Sequence, residues 1–234
     1  MPAEPAFLPT GLPAGRRVLA VCAHPDDESF GLGAVLSAFA EAGAEVGVLC
    51  LTPGEASTLG ADEPDLATTR AAELAAAAAE LGVARTWLLC CPDSGLARQP
   101  LGQVADEVGR VIDDQRPDLL VVFHPDGITG HPDHQQATRA ALHAAGSDGL
   151  AVWAWYVPAR VATRLNAELG TAFVATPPAP ADLRVPVDRA RQRRAIALHR
   201  SQQGSLPVVE RRLELLGPVE HLRALRGEAR RDPR

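Results

Sequence analysis

Two short strings bring imidazoles and carboxylates together: His24-Pro25-Asp26-Asp27-Glu28 and His131-Pro132-Asp133-His134. Within them His24 and Asp27, and likewise His131 and His134, stand three residues apart, a spacing that puts both side chains on one face once the chain turns helical. Two imidazoles and one carboxylate form the ligand set of hydrolytic zinc sites that keep one position open for water. His24, Asp27 and His134 are therefore predicted as metal ligands. Asp26, next to a ligand but pointing elsewhere, suits a general base. His131 faces the same cavity, where it could pass a proton to a leaving amine or hold an oxyanion, and Asp133 could fix its tautomer. A single Asp-Asp pair ahead of a helix would be read as a cap that favours the helix dipole. Two such strings, each opening a helix after a buried strand, favour the metal site. A third string, His124-Pro125-Asp126, either supports the site from behind or merely ends its strand.

For these strings to meet, the chain must carry them to the same end of a sheet. Continuous apolar runs at 17–23, 45–51, 86–91, 118–123 and 150–157 are too short for helices and lack alternation, as strands buried on both faces do. Between them, 29–42, 65–81, 101–115 and 135–145 show helical spacing, and Gly43 and Gly82 stand where a C-cap is needed. The alternation predicts an α/β fold, a Rossmann-like sandwich with a mostly parallel sheet flanked by helices. In strand order 3-2-1-4-5 the first and fourth strands are neighbours, so both strings would end at the crevice where ligands bind in such sheets. After residue 171 the pattern loosens into an extended proline-rich stretch and two helical segments. Residues 1–15, with Pro2, Pro5, Pro9 and Pro13, read as a disordered arm, 16–225 as one domain, and 226–234 as a disordered tail.

Composition narrows the chemistry. All 23 basic residues of the 234 are arginine, which excludes a Schiff-base lysine, a P-loop lysine and the lysine of aspartyl-phosphate receiver folds. A net charge of −6 offers no basic face for nucleic acid or anionic membrane. Cys22, Cys50, Cys90 and Cys91 lie in or at the end of apolar runs without C-x-x-C spacing, so they read as small core hydrophobes. With no charged leader or long apolar stretch, a cytoplasmic location is expected, and self-association is left open.

The string Ala23 to Glu28, followed by Gly31 and Gly33, together with His131 to His134, resembles the LmbE-like or PIG-L family of zinc-dependent de-N-acetylases. The resemblance extends to Leu51-Thr-Pro-Gly-Glu55, Arg70-Ala-Ala-Glu73, Leu81-Gly82-Val83, the Asp93 turn and His199-Arg-Ser201-Gln202. It implies hydrolysis of an N-acetyl or other acyl group from an amino sugar or sugar conjugate. The implied roles are zinc for His24, Asp27 and His134, general base for Asp26, acid or electrostatic partner for His131, and support around them from Asp133 and Asp93. It further implies substrate contact by Arg70, Glu55 and His199, although Arg70 and Glu73 would equally make a surface ion pair on a helix. Where many relatives continue with glycine, this chain reads Gly-Glu-Ala-Ser, which changes the loop at Glu55.

The same residues fit other chemistries. Two histidines and a carboxylate also suit Fe(II), as a replacement metal or in an oxygenase. An amidase of a thiol-sugar conjugate and a non-catalytic sugar-binding protein share the fold. A receiver module is excluded by the missing lysine.

Overall fold

The computed structural model describes residues 8, 11–146 and 150–226. The elements run β1 (Arg17–Cys22), α1 (Asp27–Phe30), α2 (Gly33–Glu41), β2 (Glu45–Cys50), α3 (Leu66–Leu81), β3 (Arg85–Leu88), α4 (Leu101–Gln115), β4 (Leu119–Phe123) and α5 (Pro132–Ala144). They continue with β5 (Ala151–Trp155), α6 (Ala159–Leu169), β6 (Leu183–Pro186), α7 (Ala190–Leu198), α8 (Leu206–Leu216) and β7 (Val219–Arg226). The sheet order is β3-β2-β1-β4-β5-β7-β6. The first five strands are parallel, as predicted. The last two are antiparallel additions, β7 against β5 and β6 against β7, which makes the sheet mixed.

Burial on both faces explains the continuous apolar runs. Along β1, Val18, Ala20 and Cys22 pack with Leu36 and Phe39 of α2, while Leu19 and Val21 pack with Val104 and Val108 of α4 and Ala137 and Ala141 of α5. β1 pairs with β2 on one side and β4 on the other, so the chain departs in opposite directions from these neighbours. A crevice is left at their carboxyl ends. Leu12 is fully buried in the core, which corrects the expectation of a free arm as far as residue 15. The other residues of the expected arm, 1–7 and 9–10, and 227–234 of the expected tail lie outside the described residues.

Local signals set the helix ends. Asp65 accepts from the Thr68 N–H (3.1 Å) to start α3, and Gly82, at φ 82°, ends it. The helix expected over 29–42 is broken at Gly31 and Leu32. A Cβ on Gly31 would lie 2.4 Å from the Phe123 ring, so only glycine lets this break approach β4. The cysteines divide: Cys22 and Cys50 are buried core residues, whereas Cys90 is exposed and Cys91 half-buried, because β3 ends at Leu88 on the sheet edge.

Candidate active site

After β1 the chain makes a tight turn in which the backbone N–H groups of Ala23 and His24 both donate to Asp27 Oδ2, at 3.1 and 3.0 Å. Asp27 Oδ1 is thereby turned toward α5, where it lies 3.2 Å from His134 Nε2. The same His134 nitrogen is 3.2 Å from His24 Nδ1. The other nitrogen of His134, Nδ1, faces the Gly127 carbonyl at 3.1 Å, which orients the ring. Two imidazole nitrogens and a carboxylate oxygen thus converge from strands β1 and β4. Only a shared proton or a cation can hold two such nitrogens together. Ligands about 2.0–2.1 Å from a tetrahedral zinc stand about 3.3 Å apart, so both short edges of this triad fit.

Acidic groups surround His24. Its Nε2 lies 3.1 Å from Asp93 Oδ1 and 3.7 Å from Asp133 Oδ2. Burial disfavours a charged ring, but Asp133, Asp93 and Asp27 outweigh it and push His24 up to about 10. Asp93 is in turn held down at about 2 against its own burial, chiefly by His24, and Asp133 is lowered likewise. Burial would also raise Asp27, yet His134 and His24 keep it well below the usual carboxylate range. This concentration of negative charge around three converging donors is the setting a divalent cation requires.

Asp26 stands beside the triad with a backbone φ of 142°, a region that costs a non-glycine residue about 1–3 kcal/mol. Two contacts hold it there. Its N–H donates to Glu28 Oε2 (2.9 Å), and its Oδ2 accepts from Arg70 Nη2 (2.9 Å). Burial lifts its carboxyl to about 6, with Arg70 opposing and Asp27 adding to the rise.

Arg70 is 2% exposed, and its guanidinium also donates to the carbonyls of Gly54 (2.8 Å) and Pro25 (2.5 Å). It lines the cavity floor, where it clamps Asp26 and two loops. The surface pair with Glu73 is absent, since Glu73 instead accepts from the N–H (2.8 Å) and hydroxyl (2.6 Å) of Ser201.

His199 sits away from the cavity it was expected to line. It is fully buried beneath α1, with Nε2 2.7 Å from Glu28 Oε1, and does not line the cavity. Glu28, itself fully buried, thus joins His199 to the Asp26 backbone, a role the sequence reading missed although the residue ends the first string. Glu55 lies outside the cavity lining as well. Its carboxylate accepts from the Asp93 N–H (2.9 Å), and Asp93 Oδ2 accepts from the Ala56 N–H (3.0 Å), so the two loops are buckled together.

His131 caps α5, its Nδ1 accepting from the Asp133 N–H at 3.2 Å. That bond leaves the ring proton on Nε2. The Asp133 backbone, and not its carboxylate, therefore sets this tautomer; the carboxylate accepts from the Ala97 N–H (3.0 Å) and faces His24. Burial and the neighbouring His134 and His24 lower the His131 pKa, which favours the neutral ring. His124 points away to Asp126 (2.8 Å).

The cavity over these groups measures about 410 Å³, and Ser57, Leu59, Ser94 and Gln202 join the predicted residues in lining it. Ser57 donates to Gln202 Oε1 at 2.9 Å, which ties the loop after β2 to the turn after α7. The signal for Gln202 in the sequence was its place at the end of the His199-Arg-Ser201-Gln202 string.

The fold and the site define an α/β sandwich protein with a candidate metal centre at the β1/β4 crevice. The chain belongs to the PIG-L family, described as GlcNAc-PI de-N-acetylase, whose model matches residues 19–145. A 1D-myo-inositol 2-acetamido-2-deoxy-alpha-D-glucopyranoside deacetylase from Nakamurella multipartita is 33% identical over 90% of this chain and 89% of its own. A relative of the same description from Catenulispora acidiphila is 38% identical over 58% of this chain and 50% of its own. The chain spans about half the length of that protein and of its Kineococcus radiotolerans counterpart. Among solved structures, a deacetylase of the teicoplanin biosynthesis pathway superposes with a TM-score of 0.71 at 22% identity, covering 91% of this chain and 99% of that one. That likeness bears on the fold.

Proposed function

We propose that this protein is a zinc-dependent hydrolase that removes the N-acetyl group from an amino sugar or amino-sugar conjugate, releasing acetate and a free amine. The observation that carries the reading is the convergence of His24 Nδ1, Asp27 Oδ1 and His134 Nε2, the last 3.2 Å from each of the other two, with Asp26 and His131 lining the same cavity. Zinc held by these three would act as a Lewis acid, polarising an amide carbonyl and acidifying water. Fe(II) would fit the same donors.

The chain's own groups supply the rest. Asp26, lifted toward neutrality by burial, takes the proton from the attacking water. His131 donates from Nε2 to the carbonyl oxygen as negative charge develops there. The amine must leave protonated, and Asp26, now carrying the proton, returns it to nitrogen. Arg70 and Glu28 keep Asp26 in its strained position throughout, while Asp93 and Asp133 orient His24.

The relatives' descriptions make an inositol-linked N-acetylglucosamine the first substrate to test. The four cysteines are unpaired, in keeping with the reducing cytoplasm, and no helix of the described residues is long and apolar enough to cross a membrane. The test is to incubate zinc-loaded protein with a panel of N-acetylglucosaminides, the inositol conjugate included, and quantify freed amine and acetate. Release from at least one substrate, abolished by chelation, is expected. Tight binding without release would favour a sugar-binding protein, and cleavage restricted to thiol-sugar amides would favour the conjugate amidase.

A further inference from the structure

A second cavity, of about 440 Å³, lies where β5 gives way to α6, and it shares no lining residue with the first. This volume is within the ~300–1,000 Å³ common for small-molecule sites. Pro158, Ala159, Pro178 and Ala179 give it apolar walls, and its polar groups lie on or directly beside the adjacent strands β5, β7 and β6 and on α6. His221 on β7 is paired directly with Arg184 on β6. On its other side the His221 carbonyl accepts from the Tyr156 N–H (3.2 Å), and the two rings meet edge to face at 5.8 Å. Arg160, in the first turn of α6, completes the lining.

The charges here do not balance. Among the described residues neither Arg160 nor Arg184 has a carboxylate within 4.0 Å, and the one side-chain hydrogen bond of Arg160 goes to the Leu215 carbonyl at 3.3 Å. Asp182, the acidic group of the lining, is engaged by Arg223 at 2.7 and 2.8 Å, by the Tyr156 hydroxyl at 2.8 Å and by the Ala179 N–H at 2.6 Å. His221 is 5% exposed, and its buried Nδ1 has no hydrogen-bond partner among the described residues. Two arginines that line one cavity with no carboxylate between them repel each other, and a buried imidazole nitrogen left without a partner is unfavourable. An anion held among the three groups would remove both penalties.

We propose that this cavity is a second ligand site that takes a small organic anion, its carboxylate or phosphate held among Arg160, Arg184 and His221 and its compact apolar body set against Pro158 and Pro178. The site is independent of the catalytic reading. It is linked to the first cavity through structure alone: Arg223, on Asp182, also lies 3.4 Å from His124, and His124 begins the loop that leads to His131.

The test is calorimetric titration of the full chain, zinc-loaded and metal-stripped, with benzoate and with phenyl phosphate. The two probes distinguish a carboxylate ligand from a phosphate one. Saturable binding of at least one probe is expected in both metal states, since carboxylates that merely bind zinc would be lost on stripping. The Arg160→Ala/Arg184→Ala double variant should weaken that binding by about tenfold or more, as removal of charged hydrogen-bond donors does, with amine release from the N-acetyl sugar unchanged. His221→Asn, which keeps a polar group but removes the imidazole, should also weaken it. No saturable binding, binding that vanishes with the metal, or equal affinity in the double variant would overturn the proposal.

Discussion

Arg70 lies on α3, 44 residues beyond Asp26, yet it donates to the Asp26 carboxylate at 2.9 Å while the same guanidinium holds the carbonyls of Pro25 and Gly54. One planar fork therefore fixes the side chain, the preceding peptide and the neighbouring loop. Lysine has no such geometry. Arg70→Lys should lower kcat about 10–100-fold with zinc still stoichiometric, and steady-state kinetics with metal analysis checks this. A change confined to KM would return Arg70 to direct sugar contact.

Asp26→Asn removes the proton acceptor and keeps the shape. A fall in kcat of about 10²–10⁴-fold is expected with one zinc per chain retained. Loss of zinc in this variant would make Asp26 a ligand.

Asp27→Ala or His134→Ala should abolish stoichiometric zinc and, with it, amine release. Chelator treatment of the wild-type chain should do the same reversibly, with activity restored by added zinc. An active, metal-free protein would refute the assignment.

Glu28→Gln keeps the volume of a fully buried side chain but weakens its hold on the Asp26 N–H and on His199. Expected is about a tenfold loss of kcat at unchanged zinc content, with KM little affected. Glu28→Ala, which leaves the buried His199 with only the Ser29 hydroxyl at 3.3 Å, should cost about 3 kcal/mol of stability, read by urea unfolding.

His221 carries a pH dependence remote from the metal centre. Burial, reinforced by Arg160 and Arg184 and by Arg189, with Asp182 opposing, pulls its pKa from 6.5 to about 4. On acidification the unfolded chain takes up this proton before the folded one. The stabilisation is complete above pH 6.5 and is lost as pH falls toward 4. Between pH 7 and 5 the wild type should lose about 2 kcal/mol more stability than His221→Gln, measured by urea unfolding at each pH. An identical loss in both proteins would show that His221 does not titrate in that window.

The parallel half of the sheet was readable because strands buried on both faces leave unbroken apolar runs. That rule has no purchase on β6 and β7: Leu183–Pro186 alternates around the buried Val185, and β7 carries Glu220, His221 and Arg223 within its eight residues. In the site, the spacing of the two strings located the groups that converge. The supporting roles were another matter. The pairs Arg70–Asp26 and His199–Glu28 join buried polar groups 44 and 171 residues apart, and local spacing carries no information about such pairings. His131 shows the same limit at short range, since a backbone N–H two residues on took the part expected of a carboxylate.

His24 and His134 are separated by 110 positions. Asp27 is organised by the backbone of its own turn, so two of the three ligands are together as soon as β1 turns back, and the third waits until β4 is laid beside it. A cation at this point would act as a bolt through the middle of the sheet, closing a loop of more than a hundred residues. Cross-links of that span are worth about 4–5 kcal/mol in chain entropy alone. Metal supply would then govern how much of this protein survives in the cell as well as how fast it works.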